Sequence, residues 1–540
     1  MSGNNDHWAS FAVPPTRLEA HFNDRVVRCF AERPHSFHAM LEASLAAHPQ
    51  RRALVFEGRS WTYRALDDEI SRIAAGLARH GVGKGDRVVL FIGNRPEFVT
   101  VLLATQRLGA IAVPVGVREQ RPGLSYVLRQ SGAMAIVFDR ALAGVVPQAG
   151  DASGLSLRIC VDGGGDGALA LADMGKGTAP LAQAAPVREE DTAVLLYTSG
   201  TTGNPKGAML SHFNIVHSAI HFQACFGLTE NDCAGLAVPA SHVTGLIAVI
   251  AAMLRVGGAM LVFAEFRAED FIASAARERM TYTLMVPAMY SLCLLRGGME
   301  AHDLSAWRIG GFGGAPMPPS TVDAMARRLP GLTLVNAYGA TETTSPATAM
   351  PPGVTVAGND SVGVALPCAS VIAVDDDGIE VAPGVTGELW IGGPMVVRGY
   401  WDNPEATAQG FTAGYWHSGD IGSIDEQGFV RIFDRKKDML NRGGYKIYSA
   451  EVENVLMALP GVLEAAVVGR PCPVLGERVH AFVYAPGKAL ESEAVRAHCA
   501  ARLADYKVPE EVTLTDAPLP RNANGKLLKR LLRYRAASAW

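Results

Sequence analysis

At 540 residues the chain is too long for one compact core, so two or more domains are expected. Hydrophobic residues at 49% and charged residues at 19% match an ordinary globular protein, and a formal net charge of −4 excludes the basic footprint of a nucleic-acid binder. The eight cysteines contain no CxxC pair, a pattern of reduced thiols in a cytoplasmic setting rather than of a disulfide framework or a zinc site.

Residues 1–30 carry Asp6, Arg17, Glu19, Asp24 and Arg25, which leaves no room for a secretory apolar region. Thr62 is placed to cap a helix whose apolar face runs Leu66, Ile70, Ile73, Leu77. Gly81-Val-Gly-Lys-Gly85 ends that helix, Val88–Ile92 is a predicted strand, Pro96 opens a second helix through Leu108, and Ala110–Pro114 is the next strand. This alternation implies a largely parallel sheet covered by helices. Residues 141–186, rich in Gly and Ala, are expected to form a loose peripheral segment.

Ala193–Tyr197 is a short apolar, β-prone run without breakers, and it opens into Thr198-Ser-Gly-Thr-Thr-Gly-Asn-Pro-Lys206-Gly207. A strand that runs into Gly, Ser and Thr and ends in Lys can hold phosphate. Glycines let backbone N–H groups approach the anion, hydroxyls donate further hydrogen bonds, and lysine adds a point charge. The pattern is not the common nucleotide P-loop, because Pro205 stands five residues after Gly200 and Gly207 follows Lys206. Val243–Ala264 is long and apolar, but Arg255 and Gly257-Gly258 interrupt it, so a helix over 243–254, a turn and a strand over 259–263 are expected rather than a membrane span.

From Asp434 the texture changes. Asp434-Arg-Lys-Lys-Asp438 is a charged knot between apolar stretches, a solvated turn on its face and a plausible hinge by its position. Beyond it a helix over 449–458, strands over 463–469 and 479–485, and a helix over 491–504 describe a small α+β domain. The expected organisation is α/β: a large N-terminal domain of mostly parallel sheets (1–433), a hinge (434–438), and a small mobile α+β domain (439–540). The terminal Ala537-Ser-Ala-Trp540 is not a peroxisomal address.

The 195–207 segment resembles, nearly letter for letter, the signature loop of the adenylate-forming superfamily of acyl-CoA synthetases, adenylation domains and luciferases. Further segments follow in that superfamily's order, so the resemblance covers about residues 40–533. It assigns Thr198, Ser199, Gly200, Thr201, Thr202, Gly203 and Lys206 to ATP phosphate binding. Gly313-Gly314-Ala315-Pro316 resembles the loop that passes close to adenine, where small residues permit backbone approach. Asn336–Glu342 resembles the nucleotide and metal segment, in which Tyr338 offers a flat face to adenine, Thr341 a further contact, and Glu342 a hard oxygen to Mg²⁺.

Gly414-Tyr-Trp-His-Ser-Gly-Asp420 resembles the ribose segment, with Asp420 accepting from both sugar hydroxyls and Ser418 standing where the family usually has Thr. Arg435 is implied as a second ribose or phosphate contact, although on its own it reads as a solvated arginine. Lys437 falls at the family's hinge position. Gly443-Gly444-Tyr-Lys446 falls where the pantetheine arm of CoA passes, although a simple turn would contain the same glycines. Arg521-Asn-Ala-Asn-Gly-Lys526 resembles the mobile catalytic-lysine loop.

The resemblance implies a two-step synthesis with ATP, Mg²⁺ and CoA. A carboxylate attacks the α-phosphate of ATP to give acyl-adenylate and pyrophosphate; a thiol then displaces AMP. The small domain is implied to swing about Lys437 between the steps. Lys526→Ala should therefore lose adenylation, by on the order of 10²–10³ in rate, yet still convert supplied acyl-adenylate to thioester, and Lys437→Pro should do the opposite. Pro239–Leu246 resembles the segment bordering the acyl chain. By that alignment His242, Thr244, Ala337, Gly339 and Thr344 line the acyl pocket, with His242 equally readable as a core histidine. Amino-acid-activating relatives place an Asp in that segment. Here His242 and apolar neighbours favour an uncharged acyl group, medium- to long-chain aliphatic or aryl. Loading of a carrier protein in trans and a luciferase-like oxygenase are the alternative outcomes on this fold. The family also makes a homodimer an open expectation.

Overall fold

The computed structural model describes residues 6–9, 11–148, 154–198, 204–351, 353–354, 360–487, 490–521 and 527–538. The chain folds as two compact units. Met1–Val371, Trp390–His417 and Glu426–Val430 form the first; Ile372–Leu389, Ser418–Asp425 and Arg431–Trp540 form the second.

The first unit contains a seven-stranded sheet in the order Lys206–Ser211, Thr192–Thr198, Ile111–Pro114, Arg87–Phe91, Ala135–Phe138, Leu157–Cys160, Leu169–Ala170. Its pairings are parallel except the first, where Lys206–Ser211 runs antiparallel to Thr192–Thr198. Thr62 caps the helix Tyr63–Arg79 by accepting from Ala65 N–H, and Leu66, Ile70, Ile73 and Leu77 are all buried on its inner face. The helix Pro96–Arg107 follows the strand Arg87–Phe91, as the βαβ pattern requires.

Parts of the 141–186 segment, expected to be loose, are firmly packed among the described residues. Leu157–Cys160 is a fully buried strand of this sheet, and Leu171 and Met174 sit in the main hydrophobic core. A Cβ on Gly76 would lie 2.5 Å from Gly175 N, and one on Gly175 2.2 Å from Arg72 O. The small residues here serve close approach of backbone to helix, which composition alone does not distinguish from flexibility.

A second sheet in the same unit has a parallel core: Arg52–Phe56, Ala259–Val262, Cys233–Leu236, Tyr282–Met285, Ile309–Phe312 and Thr333–Tyr338, in that spatial order. The apolar stretch near 250 is a π-helix over Thr244–Ala251 that continues as an α-helix over Ala252–Val256; Gly257 closes it with φ +75° before the strand Ala259–Val262. Among the described residues no helix is long and apolar enough to cross a membrane.

The second unit is α+β. Its five-stranded sheet pairs the hairpins Leu440–Arg442/Tyr445–Ile447 and Glu464–Cys472/Gly476–Tyr484 and adds Glu511–Thr515 parallel to Gly476–Tyr484. Helices Ser449–Met457 and Ser492–Ala500 bury Val452, Leu456, Val495 and Cys499 with Val467, Val479 and Val483. The helix Lys529–Ser538 packs Leu532 and Ala536 against Ala466, Val468 and Phe482. All eight cysteines are free thiols.

Candidate active site

The strand Thr192–Thr198 buries Ala193–Leu196 and ends with Thr198 half-buried and paired in register with Lys206. The next element is thus a strand antiparallel to the first, where a P-loop would lead into a helix. Ser199, Gly200, Thr201, Thr202 and Gly203 lie outside the described residues. At the loop's far end the Lys206 ammonium stands 5.1 Å from the ring centroid of Tyr400. The 399–401 backbone is zipped alongside: Trp401 N–H donates to Gly207 O (2.7 Å) and Met209 N–H to Gly399 O (3.1 Å).

The parallel strands of the second sheet deliver several of the expected residues at their C-terminal ends, where open α/β sheets bind ligands. Ile309–Phe312 leads into Gly313, Gly314 and Ala315. A Cβ on Gly313 would fall 2.3 Å from Ala337 O, and Gly314 has φ +76°, so each glycine answers a backbone requirement; Gly314 and Ala315 are exposed. The neighbouring strand Thr333–Tyr338 ends in half-buried Tyr338, packed on the cluster of Ala347, Ile391, Met395, Val396 and Trp416.

The turn that follows is held by Ala340 N–H donating to Thr343 Oγ1 (2.9 Å) and Thr344 N–H donating to Thr341 O (3.0 Å). It fixes Glu342, whose residue is 7% exposed. Tyr400 donates its hydroxyl to Glu342 Oε1 at 2.9 Å, and Val397 N–H donates to the Glu342 carbonyl at 2.9 Å. Burial, reinforced by the adjacent carboxylate, pushes the Tyr400 pKa well up, so this phenol stays a proton donor. A buried carboxylate fixed by a neutral donor is a hard oxygen ligand that fits Mg²⁺.

The expected acyl residues fall into two groups. His242 and Thr244 lie beyond the strand Cys233–Leu236 and touch: Thr244 N–H donates to His242 Nδ1 (3.3 Å), and Thr244 Oγ1 lies 3.2 Å from the same nitrogen. The neutral ring therefore carries its proton on Nε2. His242 is exposed, yet desolvation by the packed atoms around it lowers its pKa, which favours that neutral form. A Cβ on Gly245 would lie 2.4 Å from Pro239 O, which explains the glycine in the first turn of the π-helix, packed against the 239–240 backbone. Ala337, Gly339 and Thr344 form the second group, around the turn that carries Glu342. Ala337 is buried and Gly339 exposed; Thr344, fully buried at φ +49°, has a hydroxyl without a partner among the described residues.

In the second unit, Asp420 is 3% exposed. Arg435 Nε meets its Oδ1 at 2.6 Å, so the two residues expected at the ribose pair with one another. Ser418 Oγ donates to Leu389 O (2.6 Å) and accepts from Asp420 N–H (3.0 Å); this hydroxyl shapes the backbone that presents the carboxylate. Within the charged knot, Asp434 is buried, accepting from Ser449 N–H and Arg435 N–H, and Asp438 pairs with Arg533. The knot is thus anchored, not a solvated turn. Lys437 is exposed, its carbonyl accepting from Arg533 (2.8 Å).

Gly443 (φ +58°) and Gly444 (φ +90°) form the two-residue turn of a hairpin, a geometry that by itself accounts for glycine there. Lys446 is exposed with Nζ 4.0 Å from Asp376 Oδ2. Arg521 bridges to Leu527 and pairs with Glu464 (3.0 Å); residues 522–526, Lys526 among them, lie outside the described residues. Neither Tyr400 nor Ser449 stands out in the motifs. For Tyr400 a signal existed in Gly392-Gly-Pro and Arg398-Gly-Tyr-Trp401, glycine-rich punctuation around an aromatic pair.

Residues 41–401 match the model of the AMP-binding enzyme family, and residues 451–526 match the AMP-binding enzyme C-terminal domain. A feruloyl-CoA synthase of Amycolatopsis sp is 35% identical over 495 residues, covering 90% of this chain and 96% of the relative. The long-chain-fatty-acid–CoA ligase FadD13 of Mycobacterium tuberculosis is 33% identical, covering 87% and 92%. Among solved structures, the anthranilate CoA ligase AuaEII in complex with anthranoyl-AMP superposes with a TM-score of 0.86 at 25% identity, covering 94% of this chain and 98% of that one. ATP-bound MatB from Rhodopseudomonas palustris gives 0.85 at 30%, covering 94% and 99%. The chain belongs to the AMP-binding family of adenylate-forming enzymes and is an AMP-forming acid–thiol (CoA) ligase.

Proposed function

We propose that this ligase joins an uncharged carboxylic acid, aryl or medium- to long-chain aliphatic, to CoA through an acyl-adenylate. The observation that carries the substrate class is the character of the acyl-side set. His242, held neutral by its surroundings, stands with Thr244, Ala337, Gly339 and Thr344, none of which brings a fixed charge to meet a charged acyl group. The small side chains at 337 and 339 leave room for a bulky chain or ring. Relatives on both sides of this choice match comparably well, a feruloyl-CoA synthase and a long-chain-fatty-acid ligase.

In the first half-reaction a carboxylate oxygen forms a bond to the α-phosphorus while the bond to pyrophosphate breaks. Two anions must meet, so the protein's work is neutralisation and positioning. Lys206 with Thr198, Ser199, Gly200, Thr201, Thr202 and Gly203 would hold the departing pyrophosphate, and Lys526 would bridge carboxylate and phosphate. Tyr338, Gly314, Ala315 and Thr341 would take the adenine side, and Asp420 with Arg435 the ribose. Glu342 would hold Mg²⁺, which when bound offsets phosphate charge. In the second half-reaction the CoA thiol adds to the acyl carbonyl and AMP leaves; Gly443, Gly444 and Lys446 would border the pantetheine arm, with Lys437 as the hinge between the two states.

The test is ATP-dependent pyrophosphate release over short, medium and long fatty acids, benzoates, cinnamates, amino acids and dicarboxylates, each with and without CoA. Release with one acid class that turns over repeatedly only with CoA supports the reading and identifies the substrate. Release that stays stoichiometric despite CoA transfers the second step to a carrier-protein thiol, and release confined to amino acids or dicarboxylates overturns the uncharged-acyl assignment.

A further inference from the structure

We propose that Tyr400 is a positioning residue for adenylation, one side chain that ties the phosphate-side lysine to the carboxylate that would hold the metal. The inference rests on the roles proposed above for Lys206 and Glu342 and goes beyond them. Tyr400 is 7% exposed and touches both groups: its hydroxyl donates to Glu342 Oε1 at 2.9 Å, and the Lys206 ammonium stands 5.1 Å from its ring centroid.

The backbone around it is fastened at several points. Val397 N–H donates to Glu342 O (2.9 Å), Trp401 N–H to Gly207 O (2.7 Å), and Met209 N–H to Gly399 O (3.1 Å). Tyr400 N–H donates to Thr407 Oγ1 (3.0 Å), Gln130 Nε2 to Trp401 O (2.8 Å), and Phe411 packs edge-on against the tyrosine ring. Gly399 runs at φ +152°, with Thr407 only 2.4 Å from where a Cβ would sit, so the chain is pressed into this course. A tyrosine that only filled the core would be satisfied by any carbonyl. This one spends its hydroxyl on a buried carboxylate and offers its face to an ammonium.

The chemistry follows from the two contacts. A neutral donor on one oxygen fixes the rotation of the Glu342 carboxylate without cancelling its charge, which orients it toward a cation. The ring face gives Lys206 a preferred place without neutralising it, so its charge stays available to a phosphate. Motion of the 397–401 segment would shift both together.

The readout is binding rather than turnover: calorimetric titration of MgATP, of ATP with excess EDTA, and of AMP, with the unfolding temperature of each variant. Tyr400→Phe keeps the ring and removes the hydroxyl. It should weaken MgATP by about tenfold, the size of one hydrogen bond to a charged group, and raise the Mg²⁺ needed for half-saturation. AMP binding and unfolding temperature should stay as in the wild type. Tyr400→Leu, which also removes the ring, should weaken ATP a further two- to fivefold with or without metal. Wild-type MgATP affinity and Mg²⁺ demand in Tyr400→Phe overturn the proposal, as does an equal loss of MgATP and AMP. Glu342→Gln separates the layers: if it leaves Mg²⁺ demand unchanged, the role of Glu342 falls, whereas if it raises that demand and Tyr400→Phe does not, only the role of Tyr400 falls.

Discussion

Glu342 and Asp420 are carboxylates buried to a similar degree, at 7% and 3% exposure, and the chain supports them in different ways. Glu342 meets a phenol, Asp420 a guanidinium at 2.6 Å. A neutral donor orients a carboxylate and leaves its charge in place; a guanidinium cancels the charge while fixing the geometry. The first arrangement suits a ligand that is itself cationic. The second suits one that is neutral and hydroxylic, because a paired carboxylate keeps lone pairs for O–H donors without demanding a counter-ion. Burial alone would have grouped these residues together; these two contacts separate them.

Substitution turns that contrast into numbers. Glu342→Gln keeps shape and removes charge, so it should lower the rate of adenylation by on the order of 10²–10³ while leaving AMP affinity near wild type, since AMP makes no demand on a metal. Asp420→Asn replaces one acceptor oxygen by a donor and leaves Arg435 without its partner charge. It should weaken ATP and AMP alike, by about tenfold, with no change in Mg²⁺ demand. Rates of pyrophosphate release set beside AMP titrations check both. If the two variants lose AMP equally, or if both shift the Mg²⁺ titration, the division between a cation-facing and a hydroxyl-facing carboxylate is wrong.

Much of this was legible from the chain because it depends on local rules. Thr62 and its four apolar followers determined a helix, Ala193–Tyr197 a buried strand, and Gly443-Gly444 a turn that only glycines make easily. Glu342 and Asp420 could be singled out by motif. Their supports were hidden by distance and by ordinary chemistry: Tyr400 is 58 residues from Glu342, and nothing about a tyrosine beside a tryptophan announces a carboxylate partner. Ser449 satisfies Asp434 through a backbone N–H, which side-chain identity cannot reveal. The 141–186 segment misled for the opposite reason, since its small residues permit tight packing against Gly76 yet have the composition of a flexible loop. The π-turns over Thr244–Ala251 are invisible to periodicity because that stretch is apolar on every face.

The two units should also answer acid differently. The first encloses His38, His212, His217 and His221, each no more than 2% exposed. Burial lowers their pKa values from the ordinary 6.5 to about 3 for His38 and His217 and about 4 for His212 and His221. In the second unit His480 is pushed to about 4 for the same reason. A group whose folded pKa lies below its unfolded one binds more protons when unfolded, so stability is complete above about pH 6.5 and falls as pH drops toward 4. Each such imidazole adds at most roughly 1.4 kcal/mol per pH unit to that slope. The helix His212–Cys225 that carries three of them follows directly on the strand Lys206–Ser211, so the phosphate-side corner with Lys206 should be lost before Asp420 and Arg435 are. His217→Gln removes one titrating ring while keeping a donor for Phe213 O, which His217 Nδ1 now meets at 2.8 Å. The variant should lose about 1 kcal/mol at pH 8 and show a shallower fall between pH 6.5 and 4.5, measured by urea unfolding at a series of pH values. An unaltered slope would mean that His217 does not drive the acid sensitivity of this unit, and would point instead to Glu19, whose carboxylate the Arg33 guanidinium at 2.7 Å holds well below the usual carboxylate range.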